Sequence, residues 1–150
     1  MLKITVIAVG KLKERFWKDA CAEYQKRLQA YVRLQIREIP DSTTQQEEKP
    51  ILAAIDSLPP DAHVVLLDIG GVETSSEQLA QNIDELALRG VSHIAFIIGG
   101  SDGVTSAVRS RVNKRLSFGP ITLPHNLARV VLLEQIYRAC KISRGEPYHK

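Results

Sequence analysis

"SHIAFIIGG" (residues 92–100) contains the clearest strand in the sequence: five apolar residues in a row, between a polar start and a glycine pair. A continuous apolar run of this length is typical of a strand that is buried on both faces of a parallel sheet. "LKITVIAVG" (residues 2–10) and "HVVLLDIGG" (residues 63–71) have the same form, and each also ends at glycine. Helical patterns separate these runs. The alternation predicts an α/β fold, with a mostly parallel sheet and helices on both faces.

The other segments carry weaker patterns. "VRLQIREI" (residues 32–39) alternates apolar and polar residues, which predicts a half-exposed edge strand. "PDSTTQQEEKP" (residues 40–50) predicts a mobile polar loop. "VTSAVRSRVNKRL" (residues 104–116) predicts a basic helix, and "ITL" (residues 121–123) predicts a short strand that ends at a proline. A long helix is predicted from about His125 to Arg144.

The length and composition are those of a soluble globular protein. The chain has 150 residues, of which 44% are hydrophobic and 25% are charged, so we expect one domain over residues 1–150. No apolar run approaches the roughly 20 residues of a membrane span, and no cleavage signal follows the first strand. Cys21 and Cys140 lack metal-binding spacing. We therefore expect reduced thiols, a cytoplasmic location, no membrane contact and no metal.

Charge is unevenly distributed along the chain, although the net charge is only +3. Counted as Lys and Arg against Asp and Glu, residues 1–40 carry +5, residues 41–108 carry −9 and residues 109–150 carry +7. Chance differences between solvated helix faces would also produce some asymmetry. The strength of this pattern favours an anionic partner that contacts both ends of the chain.

Three loops at predicted strand ends are rich in glycine or proline: "LLDIGG" (residues 66–71), "IIGGSDG" (residues 97–103) and "FGPITLPH" (residues 118–125). Ligands of open α/β sheets bind beyond the carboxyl ends of the strands, and glycine lets a ligand approach the backbone closely. The loops therefore predict a cofactor that is held largely by main chain. The sequence has neither a GxGxxG fingerprint nor a GxxxxGK[ST] loop, which argues against a dinucleotide or a nucleoside triphosphate.

The polar residues near these loops do not form a hydrolase motif, since no Ser/His/Asp order and no GxSxG is present. Asp68 ends a strand and is equally suited to catalysis and to capping a loop. His125 begins the long helix, where it contacts either a ligand or the helix itself. Arg129 lies one turn later and shares a face with His125. His63 and His93 begin strands and are interpreted as structural.

Three segments together resemble a known family: "ITVIAVGKLKE" (residues 4–14), "IGGSDG" (residues 98–103) and "LSFGPITLPHNLARVVLLEQIYRACKISRGEPYHK" (residues 116–150). They are similar to the SPOUT-class methyltransferases that methylate N3 of a pseudouridine in the 23S ribosomal RNA of the large subunit. The resemblance covers the whole chain and is strongest over residues 117–150. It is weakest over residues 41–62.

The resemblance implies a C-terminal trefoil knot and S-adenosylmethionine as the cofactor. It also implies a homodimer, with the C-terminal helices near the interface and the tail over the cofactor pocket of its own or the partner chain. The residues that it implies for cofactor binding are Leu67, Gly99, Gly100, Phe118, Gly119, Pro120, Ile121, Thr122, Leu123 and Pro124.

The same resemblance suggests roles in catalysis. Methylation of an imide nitrogen requires loss of its proton, and His149 is the first candidate base, with His125 second. Tyr148 is suited to stack on the target base, and Arg129 is a further candidate catalytic residue. Arg129, Arg138, Lys141 and Arg144 are candidates to bind phosphates, and at least one of these four is expected to be only a solvated residue of a helix face. The candidate RNA-binding residues are Arg138, Lys141, Arg144 and Lys150.

Two other functions stay open at this point. The same fold is compatible with modification of another RNA, such as a transfer RNA. The basic ends are compatible with a non-catalytic module that binds the ribosome, although such a module would not need the glycine loops. The substrate of a methyltransferase would be free ribosomal RNA, the large subunit or the assembled ribosome.

Overall fold

The apolar runs of the sequence form the strands of one parallel sheet in a computed structural model, which describes residues 1–148. The strand order is β2-β1-β4-β3-β5, and each neighbouring pair runs parallel. The strands are β1 (Lys3–Val9), β2 (Arg33–Ile39), β3 (His63–Glu73), β4 (His93–Ile98) and β5 (Lys114–Ser117). The α/β fold predicted from the alternating pattern is confirmed.

Helices cover both faces of this sheet. They are α1 (Arg15–Leu28), α2 (Thr44–Asp56), α3 (Ser76–Leu88), α4 (Ser106–Arg109) and α5 (His125–Ser143). The buried residues form two clusters, one on each face. Helices α1, α3 and α5 contribute to the first cluster, and α2 and α4 contribute to the second.

Strand β1 shows why both faces are apolar. Ile4, Val6 and Ala8 belong to the first cluster, whereas Ile7 and Val9 belong to the second. Successive side chains of a strand point to opposite faces, so a central strand between two helical layers is apolar at most positions. Thr5 is the buried polar exception, and its hydroxyl lies at hydrogen-bond distance, 2.8 Å, from His93 Nε2. Strand β2 lies at the edge of the sheet and keeps the predicted alternation, since Arg33, Gln35 and Arg37 are exposed.

The prediction of a polar loop over residues 40–50 is wrong, because α2 begins at Thr44 and continues through Pro50. The Thr43 hydroxyl accepts a hydrogen bond from the Gln46 backbone N–H at 3.1 Å and caps the helix. The Glu47 side chain is buried, and its carboxylate accepts a hydrogen bond from the Ser42 N–H at 2.8 Å. The polar composition of this segment led to a loop prediction, although these local hydrogen bonds stabilise the first turns of a helix.

The secondary structure predicted for residues 104–123 is also partly wrong. The predicted basic helix is reduced to α4, its last residues form β5, and residues 121–123 are not a strand. Asn113 directs the chain into the sheet: its N–H donates to the Val64 carbonyl at 2.8 Å, and its side-chain oxygen accepts from the Val64 N–H at 2.7 Å. Pairing with β3 overrides the local helical preference.

Strand β3 is interrupted by a bulge where it passes β5. Leu67 and Val72 both lie opposite Leu116, so the residues between them bulge out of the ladder. Gly71 ends the bulge directly against the backbone of β5, where a Cβ atom would lie 2.6 Å from the Arg115 carbonyl carbon. Glycine is therefore required at this position by the close approach of two backbones.

Other sequence predictions have mixed outcomes. The long C-terminal helix is confirmed as α5. Cys21 and Cys140 are unpaired, and burial raises the pKa of the Cys140 thiol to about 11. None of the helices within residues 1–148 combines the length and the apolar character that crossing a bilayer requires. The trefoil knot and the single domain stay predictions.

Substitution of Gly71 by alanine tests the contact between β3 and β5. We expect Gly71→Ala to lower the free energy of unfolding by about 1–3 kcal/mol, because the added methyl group must push two backbones apart. Urea denaturation measures the change. Gly70→Ala is the matched control, since a Cβ at Gly70 meets only Asp68 Oδ1 at 3.6 Å. Equal losses in the two variants would contradict the close contact.

Candidate active site

A cleft of about 580 Å³ opens at the carboxyl ends of β3, β4 and β5. Its walls come from the end of β3 and the bulge, from the glycine turn after β4, and from the segment that joins β5 to α5. Ligands of open α/β sheets bind at this edge. The first turn of α5 completes the cleft with His125 and Ala128.

Nine of the ten residues predicted to bind the cofactor line this cleft, and Pro120 lies exposed in the same loop. The nine are Leu67, Gly99, Gly100, Phe118, Gly119, Ile121, Thr122, Leu123 and Pro124. The structure therefore brings together three loops that are far apart in sequence. Their role in binding a cofactor stays a prediction.

The glycine turn after β4 is shaped by the protein itself. A Cβ at Gly99 would lie 3.0 Å from Val104 Cγ1, and one at Gly100 would lie 3.2 Å from Glu47 Oε1. The missing Cβ of Gly100 therefore points toward α2. A side chain at either position would have to displace these neighbours, so the close packing favours glycine here.

Glu47 lies behind this turn and was missed by the sequence analysis. Its side chain is buried, and burial raises the pKa of its carboxyl. The neighbouring Asp41 carboxyl raises this pKa further, whereas the hydrogen bond from the Ser42 N–H lowers it. A glutamate within an apparently polar loop gives no sequence signal that it will be buried beside a ligand cleft.

The loop from Phe118 to Pro124 is fixed by Ser117, another residue that the sequence analysis missed. The buried Ser117 hydroxyl accepts a hydrogen bond from the Gly119 N–H at 3.0 Å and donates to the Gly119 carbonyl at 3.2 Å. Gly119 has a φ of 109°, which favours glycine. A short loop held by its own preceding strand keeps the wall of the cleft in place.

Asp68 stabilises the rim of the cleft. Its carboxylate accepts hydrogen bonds from the Gly70 N–H at 3.0 Å and from Arg115 Nη1 at 3.3 Å. Arg109, which also lines the cleft, lies 3.8 Å from the same carboxylate. Of the two roles left open for Asp68, the observed contacts are those of a loop-capping residue.

His125 forms part of the wall at the first turn of α5. Its ring packs against Gly10, where a Cβ would lie 2.8 Å from the imidazole Nε2. Gly10 has a φ of 97° and follows β1 directly. The imidazole therefore fills the space that a side chain on residue 10 would occupy, at the boundary of the cleft.

Arg129 lies one turn beyond His125 but does not line the cleft. It is 3% exposed; its Nη1 donates to Glu38 Oε2 at 2.8 Å and its Nη2 donates to the Gly10 carbonyl at 2.9 Å. Its Nε has no hydrogen-bond partner among the described residues. Arg129 thus joins α5 to the carboxyl ends of β1 and β2.

The tail packs against the C-terminal half of α5. The Tyr148 hydroxyl donates to Glu134 Oε2 at 3.0 Å, and the Tyr148 ring meets the Tyr137 ring edge-on at 5.0 Å. The Arg138 guanidinium lies 4.7 Å above the Tyr148 ring and pairs with Glu134 Oε2 at 3.0 Å. Burial raises the pKa of the Tyr148 phenol, and the hydrogen bond to Glu134 raises it further.

The other predicted RNA-binding residues also contact tyrosines. Lys141 Nζ donates to the Tyr31 hydroxyl and to Glu146 Oε2, both at 3.2 Å. The Arg144 guanidinium lies 4.6 Å from the centre of the Tyr31 ring. His149 and Lys150 lie outside the described residues.

Within one chain, the predicted site residues fall into two separate groups. The cleft lies at the first turn of α5, whereas Arg138 and Tyr148 lie near its C-terminal half. A helix rises 1.5 Å per residue, so His125 and Arg138 are about 20 Å apart along the helix axis. Within residues 1–148 of one chain, Tyr148 therefore does not lie at the cleft of that same chain.

No metal site accompanies these groups in residues 1–148, where no three His, Cys, Asp or Glu side chains are placed to hold an ion. The cleft instead offers backbone groups at its glycine turns and apolar side chains such as Leu67 and Phe118. This combination suits an organic ligand that is recognised by main-chain hydrogen bonds and apolar contacts.

Comparison with known proteins agrees with the geometry. The model of the family described as "Predicted SPOUT methyltransferase" matches residues 2–149. Proteins named "Ribosomal RNA large subunit methyltransferase H" from Bacillus thuringiensis (strain Al Hakam), Bacillus cereus (strain B4264) and Bacillus cytotoxicus are each 46% identical over 159 aligned residues. Each alignment covers 99% of this chain and 100% of the relative. The chain belongs to the SPOUT methyltransferase family.

Proposed function

We propose that this chain is an S-adenosylmethionine-dependent methyltransferase, which methylates N3 of a pseudouridine in the 23S ribosomal RNA of the large subunit. The observation that carries the proposal is the cleft at the carboxyl ends of β3, β4 and β5, lined by nine predicted cofactor residues. The names of the 46% identical relatives support ribosomal RNA as the substrate. We also propose that the chain acts as one domain in the cytoplasm and needs no metal.

The cleft suits the cofactor in size and character. A cavity of about 580 Å³ lies within the range of roughly 300–1,000 Å³ that is usual for sites of small molecules and cofactors. Leu67, Phe118 and Leu123 would contact the apolar parts, and the backbone at Gly99 and Gly100 would bind the polar groups. When bound, S-adenosylmethionine supplies an activated methyl group on a sulfonium centre.

The residues of the chain then have to position the acceptor and remove its proton. Positioning supplies a large part of the catalysis of group transfer, because the reacting atoms must be held in line. His149 is the first proposed base for the imide proton, and His125 at the cleft wall is the second. Arg138, Lys141, Arg144 and Lys150 are proposed to bind phosphates of the RNA.

The separation of the two groups of residues supports a homodimer. About 20 Å of α5 lies between the cleft and the contacts of Tyr148 within one chain. A second copy that packs against this helix would bring its own tail to the cleft. We propose that each complete site uses the cleft of one protomer and the tail of its partner, and that the C-terminal segment is knotted.

The proposed cofactor site is tested by calorimetry with S-adenosylmethionine in the absence of RNA. We expect binding to the wild-type chain, with competition by the demethylated product. Phe118→Ala should weaken binding about tenfold, which corresponds to about 1.4 kcal/mol, because it removes an apolar wall. Phe16→Ala, on the exposed surface of α1, is the control and should bind normally. Absence of heat with wild-type protein would contradict the proposed function.

The proposed shared site is tested by mixing two inactive variants. Deletion of residues 148–150 should abolish methylation of large subunits while cofactor binding persists, and Leu123→Arg should block the cleft. Random pairing of equal amounts makes half of the dimers mixed, each with one complete site, so about a quarter of wild-type activity should return. A mixture as inactive as its components would contradict a site shared between protomers.

His149→Ala tests the proposed base separately. Loss of a general base should lower the rate of methylation by about 10²–10⁴-fold, with cofactor affinity unchanged. Partial rescue at high pH would support the base role, because hydroxide can then remove the imide proton. A rate within threefold of wild type would exclude His149 as the base.

The pKa of the Tyr148 phenol can be measured by spectroscopy and tests the contacts of this residue. The ionised Glu134 stabilises the protonated phenol, so Glu134→Gln should lower the pKa of Tyr148 toward its ordinary value. Ultraviolet titration, with Tyr148→Phe subtracted, measures this pKa. Glu146→Gln, which changes a carboxylate beside Tyr31 instead, should leave it unchanged. An unshifted pKa in Glu134→Gln would contradict the described hydrogen bond.

A further inference from the structure

A second pocket of about 510 Å³ lies beside the cofactor cleft, and His125 lines both cavities. Its other walls come from residues 10–14 after β1, from residues 38–41 at the end of β2, and from Asn126 in the first turn of α5. Apart from His125, no residue of its lining has a role in the function proposed above. The second pocket therefore lies next to the proposed site of methyl transfer but is not part of it.

The floor of this pocket is fixed by a buried charge. Arg129 is 3% exposed and donates to Glu38 and to the Gly10 carbonyl, which both line the pocket. The pairing neutralises Glu38 and holds the ends of β1 and β2 at a constant spacing. Arg129 itself does not line the pocket, so it acts there by holding Gly10 and Glu38 in position.

The mouth of the pocket carries both donors and acceptors. Lys11 and Lys13 are exposed and form no ion pair with another described residue. Asn126 and the first turn of the 19-residue α5 present amide donors, and no acidic residue occupies that turn. Glu14 and Asp41 provide carboxylate acceptors. Lysines suit a phosphate, and carboxylates suit the N–H and hydroxyl donors of a nucleoside, so the pocket matches a nucleotide.

We propose that this pocket binds the RNA nucleotide that flanks the acceptor, with its phosphate against Lys11 and Lys13. The inference rests on the proposed function. The acceptor nitrogen must reach the reacting carbon within the cleft, at about 3–3.5 Å. The imidazole of His125 separates the second pocket from that position, so its occupant is a neighbouring nucleotide. Binding this neighbour fixes the register of the RNA strand at the cleft.

Filling the pocket tests the proposal sterically. Asn126→Phe should lower kcat/KM for large subunits, isolated from cells that lack the enzyme, at least tenfold, because the ring would occupy the nucleotide position. The matched control Gln81→Phe adds the same ring at an exposed position of α3 outside both cavities and should stay within threefold of wild type. Both variants should bind S-adenosylmethionine within twofold of wild type, which also shows that they fold. Wild-type kcat/KM in Asn126→Phe, or loss of its cofactor binding, would overturn the proposal.

Lys11 and Lys13 provide a second test, which measures RNA binding instead of activity. Each neutralised phosphate contributes roughly 0.7–0.9 to the slope of log affinity against log salt, and the two lysines are proposed to share one phosphate, so Lys11→Ala/Lys13→Ala should reduce the slope by about 0.7–0.9. Lys18→Ala/Lys26→Ala removes two exposed lysines of α1 outside the pocket and should leave the slope unchanged. Equal slopes in wild type and Lys11→Ala/Lys13→Ala would overturn the proposal. Failure of wild-type protein to methylate ribosomal RNA would contradict the proposed function instead, and this binding test would still apply.

Discussion

The buried guanidinium of Arg129 is the interaction on which the arrangement of the two cavities depends. It joins α5 to Glu38 at the end of β2 and to the Gly10 carbonyl at the end of β1. A buried charge is costly unless it is paired, and the buried guanidinium is paired here with a Glu38 side chain that is 40% exposed. The same contact places His125, one turn earlier, against Gly10. Helix, strands and the wall between the cavities are therefore held by one side chain.

Two different groups of side chains lie at the two ends of α5. Its first turn completes the cleft, and its C-terminal half carries cations and tyrosines that contact one another. Ion pairs with Glu134 and Glu146 hold Arg138 and Lys141 in place. Such pairs limit the freedom of these long side chains, which would reduce the entropy lost in the phosphate binding proposed for them.

Much of the fold and the three loops of the proposed cofactor site follow from the sequence pattern, because buried parallel strands are continuous apolar runs and ligand-binding loops follow such strands. The family resemblance supplied individual residues that pattern alone did not, such as Leu67 and Thr122. Prediction failed where tertiary contacts override local preference: Asn113 draws a helical-looking segment into β5, and Glu47 is buried in a segment that reads as a loop. The second pocket had no sequence signal, since its walls meet only after three distant segments fold together.

The pairing of β1 with β4 constrains how this chain folds as it is made. Lys3 of β1 lies opposite His93 of β4 at the centre of the sheet. The first strand to be synthesised therefore cannot complete its pairing until the fourth strand has been made. Until β4 emerges from the ribosome, β1 has only β2 beside it, and its other edge stays open to unwanted pairing. Non-local pairing of this kind slows folding, because the entropy of a long closed loop must be lost first. That edge of β1 is therefore covered only once β4 has been made and has paired with it.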